Sequence, residues 1–134
     1  MVKGALSKQL LINVGNEVGS LAKITSLISS YRINMVAICA YAIKDKCVVG
    51  MVTENNNHAK RLLKEKGYDV DEEEVVLVSV GNEPGTLHVI TERIATDRID
   101  LRLIYGSVDK HGTTSRIVFV SKSPKAILQA IKNR

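Results

Sequence analysis

The residues of this chain best suited to chemistry form a hexapeptide and its copy. Asn16-Glu17-Val18-Gly19-Ser20-Leu21 returns 66 residues later as Asn82-Glu83-Pro84-Gly85-Thr86-Leu87. Each copy follows a short apolar strand and opens a helical stretch, so its glycine falls where the backbone must turn. Without a Cβ, the backbone there can approach a ligand closely. The first N–H groups of a helix lack intrahelical partners and sit at the positive end of its dipole, which suits a carboxylate. Asn16 and Asn82 bring an amide that donates and accepts, while Glu17 and Glu83 bring a charge that can meet an ammonium group. Together these positions could hold both ends of a free α-amino acid. Asn and Glu before Gly and Ser also make an ordinary turn and helix cap. The duplication favours binding in at least one of the two loops.

Other chemistry finds less to work with. His58, His88 and His111 fall at a helix start, within a helix and in a hairpin turn, none near a Cys or a Ser in a nucleophile setting. No G-x-S-x-G, no P-loop lysine and no G-x-G-x-x-G after a strand is found, so no catalytic centre is expected. Cys39 and Cys47 share one expected hairpin. A two-residue turn at Asp45-Lys46 would set Cys39 opposite Val52, which argues against a disulfide, and two thiols without convergent histidines do not make a zinc site. Neither a metal nor another cofactor is expected.

The elements that position the two loops repeat with them. Residues 14–41 and 80–107 agree at 12 of 28 positions without a gap. In the first repeat the pattern predicts strand Gln9–Val14, helix Ser20–Tyr31, strand Met35–Ile43 and strand Cys47–Thr53. Asn55-Asn56-Asn57 then offers caps for a helix from about His58 to Lys66 that stops at Gly67. A short fourth strand and a connector are expected between Tyr68 and Glu74. The second repeat predicts strand Val75–Val80, helix Leu87–Thr96, strand Asp100–Ser107, turn Asp109–Gly112, strand Ser115–Ser121 and helix Pro124–Lys132, with proline at the first helical position.

The hexapeptide after an apolar strand, the helix behind it and then Arg32-Ile33-Asn34-Met35 resemble an ACT domain, and the resemblance covers nearly all of residues 9–132 as two copies. It implies an α+β fold of two tandem ferredoxin-like βαββαβ modules, 1–72 and 73–134, each an antiparallel sheet with helices on one face. The second repeat lacks its fourth strand. The resemblance also implies that the strand-helix loops bind an amino-acid effector at a seam with a neighbouring ACT unit. The residue at the start of the second strand, Asn34 or Asp100, would contribute to that site. The expected function is that of a stand-alone regulatory protein that transmits occupancy to a metabolic enzyme or regulator.

The missing strand leaves an apolar edge along Val75–Val80, which invites pairing. Val2–Ser7 could fold back on it, or a second chain could cover it. Lys3 and Gly4 are poor strand formers, so homodimerisation is the favoured expectation.

Composition narrows the remaining classes. No apolar run approaches the ~20 residues of a membrane span, and no secretory h-region follows Met1, so a cytoplasmic protein is expected. The net charge of +5 is uneven. Residues 1–66 carry ten basic and four acidic side chains, and residues 67–134 carry nine and ten. Helix Lys60–Lys66 contributes a basic face, most simply a solvated one. An RRM-like RNA-binding module is the alternative reading, since it shares the βαββαβ order. Its stacking aromatics would have to come from Tyr41, Tyr105 and Phe119.

Overall fold

The computed structural model describes residues 2–81, 83–107 and 114–132. In chain order the elements are β1 (Val2–Gly15), α1 (Ser20–Ser30), β2 (Met35–Ile43), β3 (Lys46–Thr53), α2 (Asn56–Glu65), β4 (Asp69–Gly81), α3 (Thr86–Thr96), β5 (Leu103–Ser107), β6 (Thr114–Val120) and α4 (Pro124–Lys132). The fold is α+β, the strands are antiparallel and their hydrogen-bonded order is β2-β3-β1-β4-β6-β5. Among the described residues no helix is long and apolar enough to cross a membrane.

The chain divides into two compact units: Lys8–Glu73, and Met1–Ser7 together with Glu74–Arg134. The sequence places the boundary between 72 and 73 and assigns the N-terminal residues to the first module. In the unit division residues 1–7 go with the second repeat. β1 and β4 are therefore each split between units.

In the unit Lys8–Glu73, Leu10 and Ile12 of β1 and Val49 and Met51 of β3 meet Ile24 and Ile28 of α1 and Ala59, Leu62 and Leu63 of α2. The apolar stripe of α1 ends in a left-handed stop. The Arg32 N–H donates to Ser29 O (2.9 Å) and the Ile33 N–H to Ile28 O (3.3 Å), with Arg32 at φ 55 and Ile33 buried. Arg98 and Ile99 repeat this geometry on Ala95 and Ile94. The Arg-Ile pair in both repeats is thus a helix terminator whose second residue anchors in the core.

At the start of α2, Asn55 is the cap and its Oδ1 accepts from the His58 N–H at 3.1 Å. Asn56 has a different task. Its Oδ1 accepts from Thr53 N and Oγ1, and its Nδ2 donates to Lys8 O at 2.7 Å. Asn55→Ala should lower stability by about 1 kcal/mol in a urea titration, and an unchanged midpoint would show the cap to be redundant.

The second unit is built on Val76, Val78 and Val80 of β4, Ile90 and Ile94 of α3, Ile117 and Phe119 of β6, and Ile127 and Ile131 of α4. Its fourth strand comes from the N-terminal half of β1, next to β4 in the sheet order, with Val2 packed against the core. The expectation that a second chain would cover this edge is overturned, because residues 2–7 of the same chain lie there. Gly4 is suited to the position after all: a Cβ on it would come within 3.2 Å of Leu128 Cδ1. Packing against α4 outweighs weak intrinsic strand propensity. In the first unit the matching place between helix and fourth strand holds an ion pair, Lys60 Nζ to Glu72 Oε1 at 3.7 Å.

Three further expectations are corrected. The connector expected before residue 75 does not exist, because β4 runs unbroken from Asp69 to Gly81 and serves both repeats. The hairpin turns at Lys44-Asp45, with Lys44 at φ 57, so Cys39 faces Gly50 and Cys47 faces Ala42. That slip of two residues preserves which side chains share a face. β5 begins at Leu103 rather than Asp100. The expected turn Asp109–Gly112, with His111, lies outside the described residues.

Candidate functional site

The loop Asn16–Gly19 is tied down by its own backbone and by the neighbouring hairpin. Asn16 N donates to Asp45 O at 2.8 Å and its Nδ2 to Lys44 O at 3.2 Å, so the amide that looked free for a ligand latches the loop to the β2–β3 turn. Ser20 Oγ donates to Gly15 O at 3.1 Å, and Ser20 N donates to Glu17 O at 3.2 Å. In the second loop Thr86 N and Oγ1 both donate to Glu83 O, at 3.3 and 3.0 Å. Pro84 is exposed. Asn82 lies outside the described residues.

Gly19 and Gly85 are the N-cap residues of α1 and α3, at φ 90 and φ 87, and neither helix has a side-chain cap. A Cβ on either glycine would meet nothing within 4 Å. The glycines are thus required by the left-handed backbone rather than by a close approach within the chain.

With Ser20 N given to Glu17 O and Lys23 N to Gly19 O (3.0 Å), the N–H groups left open at the start of α1 are those of Leu21 and Ala22. Leu87 and His88 hold the same places in α3, behind Val89 N donating to Gly85 O at 3.1 Å. The sequence points to the N–H groups from Gly19 to Leu21 and from Gly85 to Leu87, and the open donors extend to Ala22 and His88. The helix register would have found them, because open donors sit at the second and third helical positions. Both loops are solvent-exposed, and Val18 projects fully at 106% relative exposure. The arrangement offers two N–H donors at a positive helix end, with an exposed carboxylate from Glu17 or Glu83 near by in sequence.

Asn34 and Asp100 do not join the loop of their own module. Asn34 precedes Met35, which pairs with Thr53, and its Nδ2 donates to Glu54 Oε2 at 3.1 Å. The loop instead lies by the pair Gly15 and Lys46, about 25 Å away at 3.3 Å per strand residue. Asp100 accepts from Ser121 Oγ at 2.6 Å, beyond the Val120 end of β6, whereas Gly81 pairs with Thr114 at the other end. A strand–helix–strand crossover returns the chain to the start of a parallel strand, so these residues end up opposite the loop of their own module.

Among the described residues the remaining titratable groups make no second centre. Among the described residues no group of His, Cys, Asp and Glu could hold a metal ion. Tyr31 and His58 stack edge-on with ring centres 5.8 Å apart, and His88 lies 3.6 Å from Glu92 on the surface of α3. Both cysteines are free, and burial pushes the Cys39 thiol up. Of the strand aromatics, Tyr41 is exposed, Tyr105 is half-buried and Phe119 is wholly buried in the core. The three cannot form a stacking platform on one open face.

Comparison with known proteins places this geometry. Protein BT0572 from Bacteroides thetaiotaomicron shares the fold at a TM-score of 0.88 and 21% identity, over 96% of this chain and 88% of that one. The regulatory subunit of aspartate kinase from Thermus thermophilus, in its ligand-free form, aligns at a TM-score of 0.72 and 15% identity, over 98% and 95%. An aspartate kinase from Clostridium acetobutylicum aligns at 0.57 and 16%, over 98% of this chain and 34% of that longer one. A search of curated protein sequences found no match. Residues 6–131 match the ACT domain pair, and with two strand-loop-helix motifs on two ferredoxin-like units the chain belongs to that family.

Proposed function

We propose that this ACT pair binds a free amino acid at its strand-helix loops and passes the occupied state to a metabolic enzyme or regulator, without catalysis of its own and in the cytoplasm. The observation that carries the reading is the duplicated helix start: Leu21 and Ala22, and again Leu87 and His88, present backbone donors behind an uncapped left-handed glycine. A carboxylate fits such a pair of donors, and Glu17 or Glu83 supplies the charge for the amine. Because the loops are exposed, an effector held by one alone would leave most of its side chain in water. A second module must complete the site, which favours a homodimer. The edge strand β2, with Ile43 60% and Tyr41 44% exposed, is a suitable surface for it. The energetic logic is linkage: a ligand that prefers one arrangement of modules shifts the population towards it.

A thermal-shift screen against the twenty amino acids tests this. At 100 times Kd the effector should add about 2.7 kcal/mol to stability. If no amino acid moves the transition and titration calorimetry is silent at millimolar ligand, the sensor reading fails.

A further inference from the structure

The first unit carries a groove of about 610 Å³ along α1, lined by Ala22, Lys23, Leu27, Lys66 and Tyr68 among others. On α1 its lining follows one helical stripe: Lys23, Ser26, Leu27 and Ser30 stand at i, i+3, i+4 and i+7. That stripe is about 10 Å long at 1.5 Å per residue. Its floor is apolar, from Ala22, the half-buried Leu27 and the half-buried Tyr68, and cations stand at its rim. Lys23 and Lys66 are exposed and make no ion pair among the described residues, unlike Lys60, which is held by Glu72. The basic character continues over the outer face of α2, where Lys60, Arg61 and Lys64 border a second groove of about 520 Å³, with Glu65 in its lining and Glu72 paired to Lys60.

The second repeat provides an internal control. Its corresponding groove, about 330 Å³, has Val89, Glu92, Arg93 and Thr96 at the positions of Lys23, Ser26, Leu27 and Ser30, and Asp97 beside them. The ACT fold therefore keeps a groove beside this helix without lysines there, and its one lining cation, Arg93, donates inward to Ile131 O at 3.3 Å. The lysines around the first groove have no counterpart in the lining of the second.

We propose that this groove docks an acidic segment of a partner protein, in which one apolar side chain enters between Leu27 and Tyr68 and flanking carboxylates meet Lys23 and Lys66. A groove about two helical turns long with an apolar floor and a charged rim matches an amphipathic helix laid along it, anchored at helical spacing. A nucleic acid would use the cations but not Ala22 and Leu27, and stacking of successive bases needs several aromatic platforms where this lining has Tyr68 alone. The proposal does not depend on amino-acid binding at the loops.

The test is fluorescence anisotropy on the full chain with a short labelled helical peptide of glutamate and leucine. Comparison probes are the same peptide with lysine for glutamate, the same with serine for leucine, and polyuridine RNA. Binding of the glutamate-leucine peptide alone, weakening as salt rises, is expected. Lys23→Glu combined with Lys66→Glu should weaken it at least about tenfold, whereas Glu92→Lys in the second unit should leave it unchanged. These three side chains are exposed, and equal melting temperatures of the variants would exclude misfolding as the cause. The proposal is overturned if the peptide does not bind at millimolar concentration. It is equally overturned if the double charge reversal has no effect, or if RNA binds more tightly than the peptide.

Discussion

Gly85→Val is expected to destabilise the protein by roughly 2–3 kcal/mol, and Gly19→Val by a similar amount, because both residues sit in the left-handed region where an L side chain is strained and a β-branched one most of all. The space around each glycine is open, with nothing within 4 Å of a Cβ, so the loss comes from the backbone and not from a clash. This separates folding from binding. Asparagine tolerates the left-handed conformation, so Gly19→Asn and Gly85→Asn should keep most of the stability while placing a side chain in front of the open N–H groups. If the loops hold an effector, the asparagine variants should melt near the parent temperature yet lose the ligand-induced shift. Ser26→Ala on α1 should change neither reading. Asparagine variants that bind as well as the parent would reduce both loops to turns, and valine variants of unchanged stability would contradict the strain argument.

Deleting residues 2–7 should be the most damaging change of all. It removes the strand beside β4 in the second unit, takes Val2 off the core and opens the edge along Val75–Gly81. Burying one Val side chain contributes roughly 1.5–3 kcal/mol, and the lost ladder adds to this. Hydrogen exchange should show faster amides in residues 75–81, while Leu10 and Ile12 in the first unit keep their protection. The exposed edge should also promote association, so sedimentation should find species larger than those of the parent. A deletion variant with the parent's sedimentation and an unchanged melting temperature would show that this strand contributes little.

What the sequence determined by itself was local. The two hexapeptides, the helices behind them and the stop at Gly67 could be read directly, because left-handed glycines, proline at a first helical position and apolar spacing act within a few residues. So could the ACT family, through the repeat. Tertiary structure decided what depends on distant partners. Whether residues 2–7 form a strand depended on Leu128 and Ile131 lying against Gly4, a contact no local propensity encodes. β4 continues past residue 74 because each half has its own sheet neighbour to pair with. Phe119 turned inward because the register Ile104 to Phe119 to Val76 puts it on the helix side of β6. Asn34 and Asp100, only 15 residues beyond Gly19 and Gly85 in sequence, lie at the far end of their own modules. A helix and its crossover carry the chain back across the sheet before the next strand can begin.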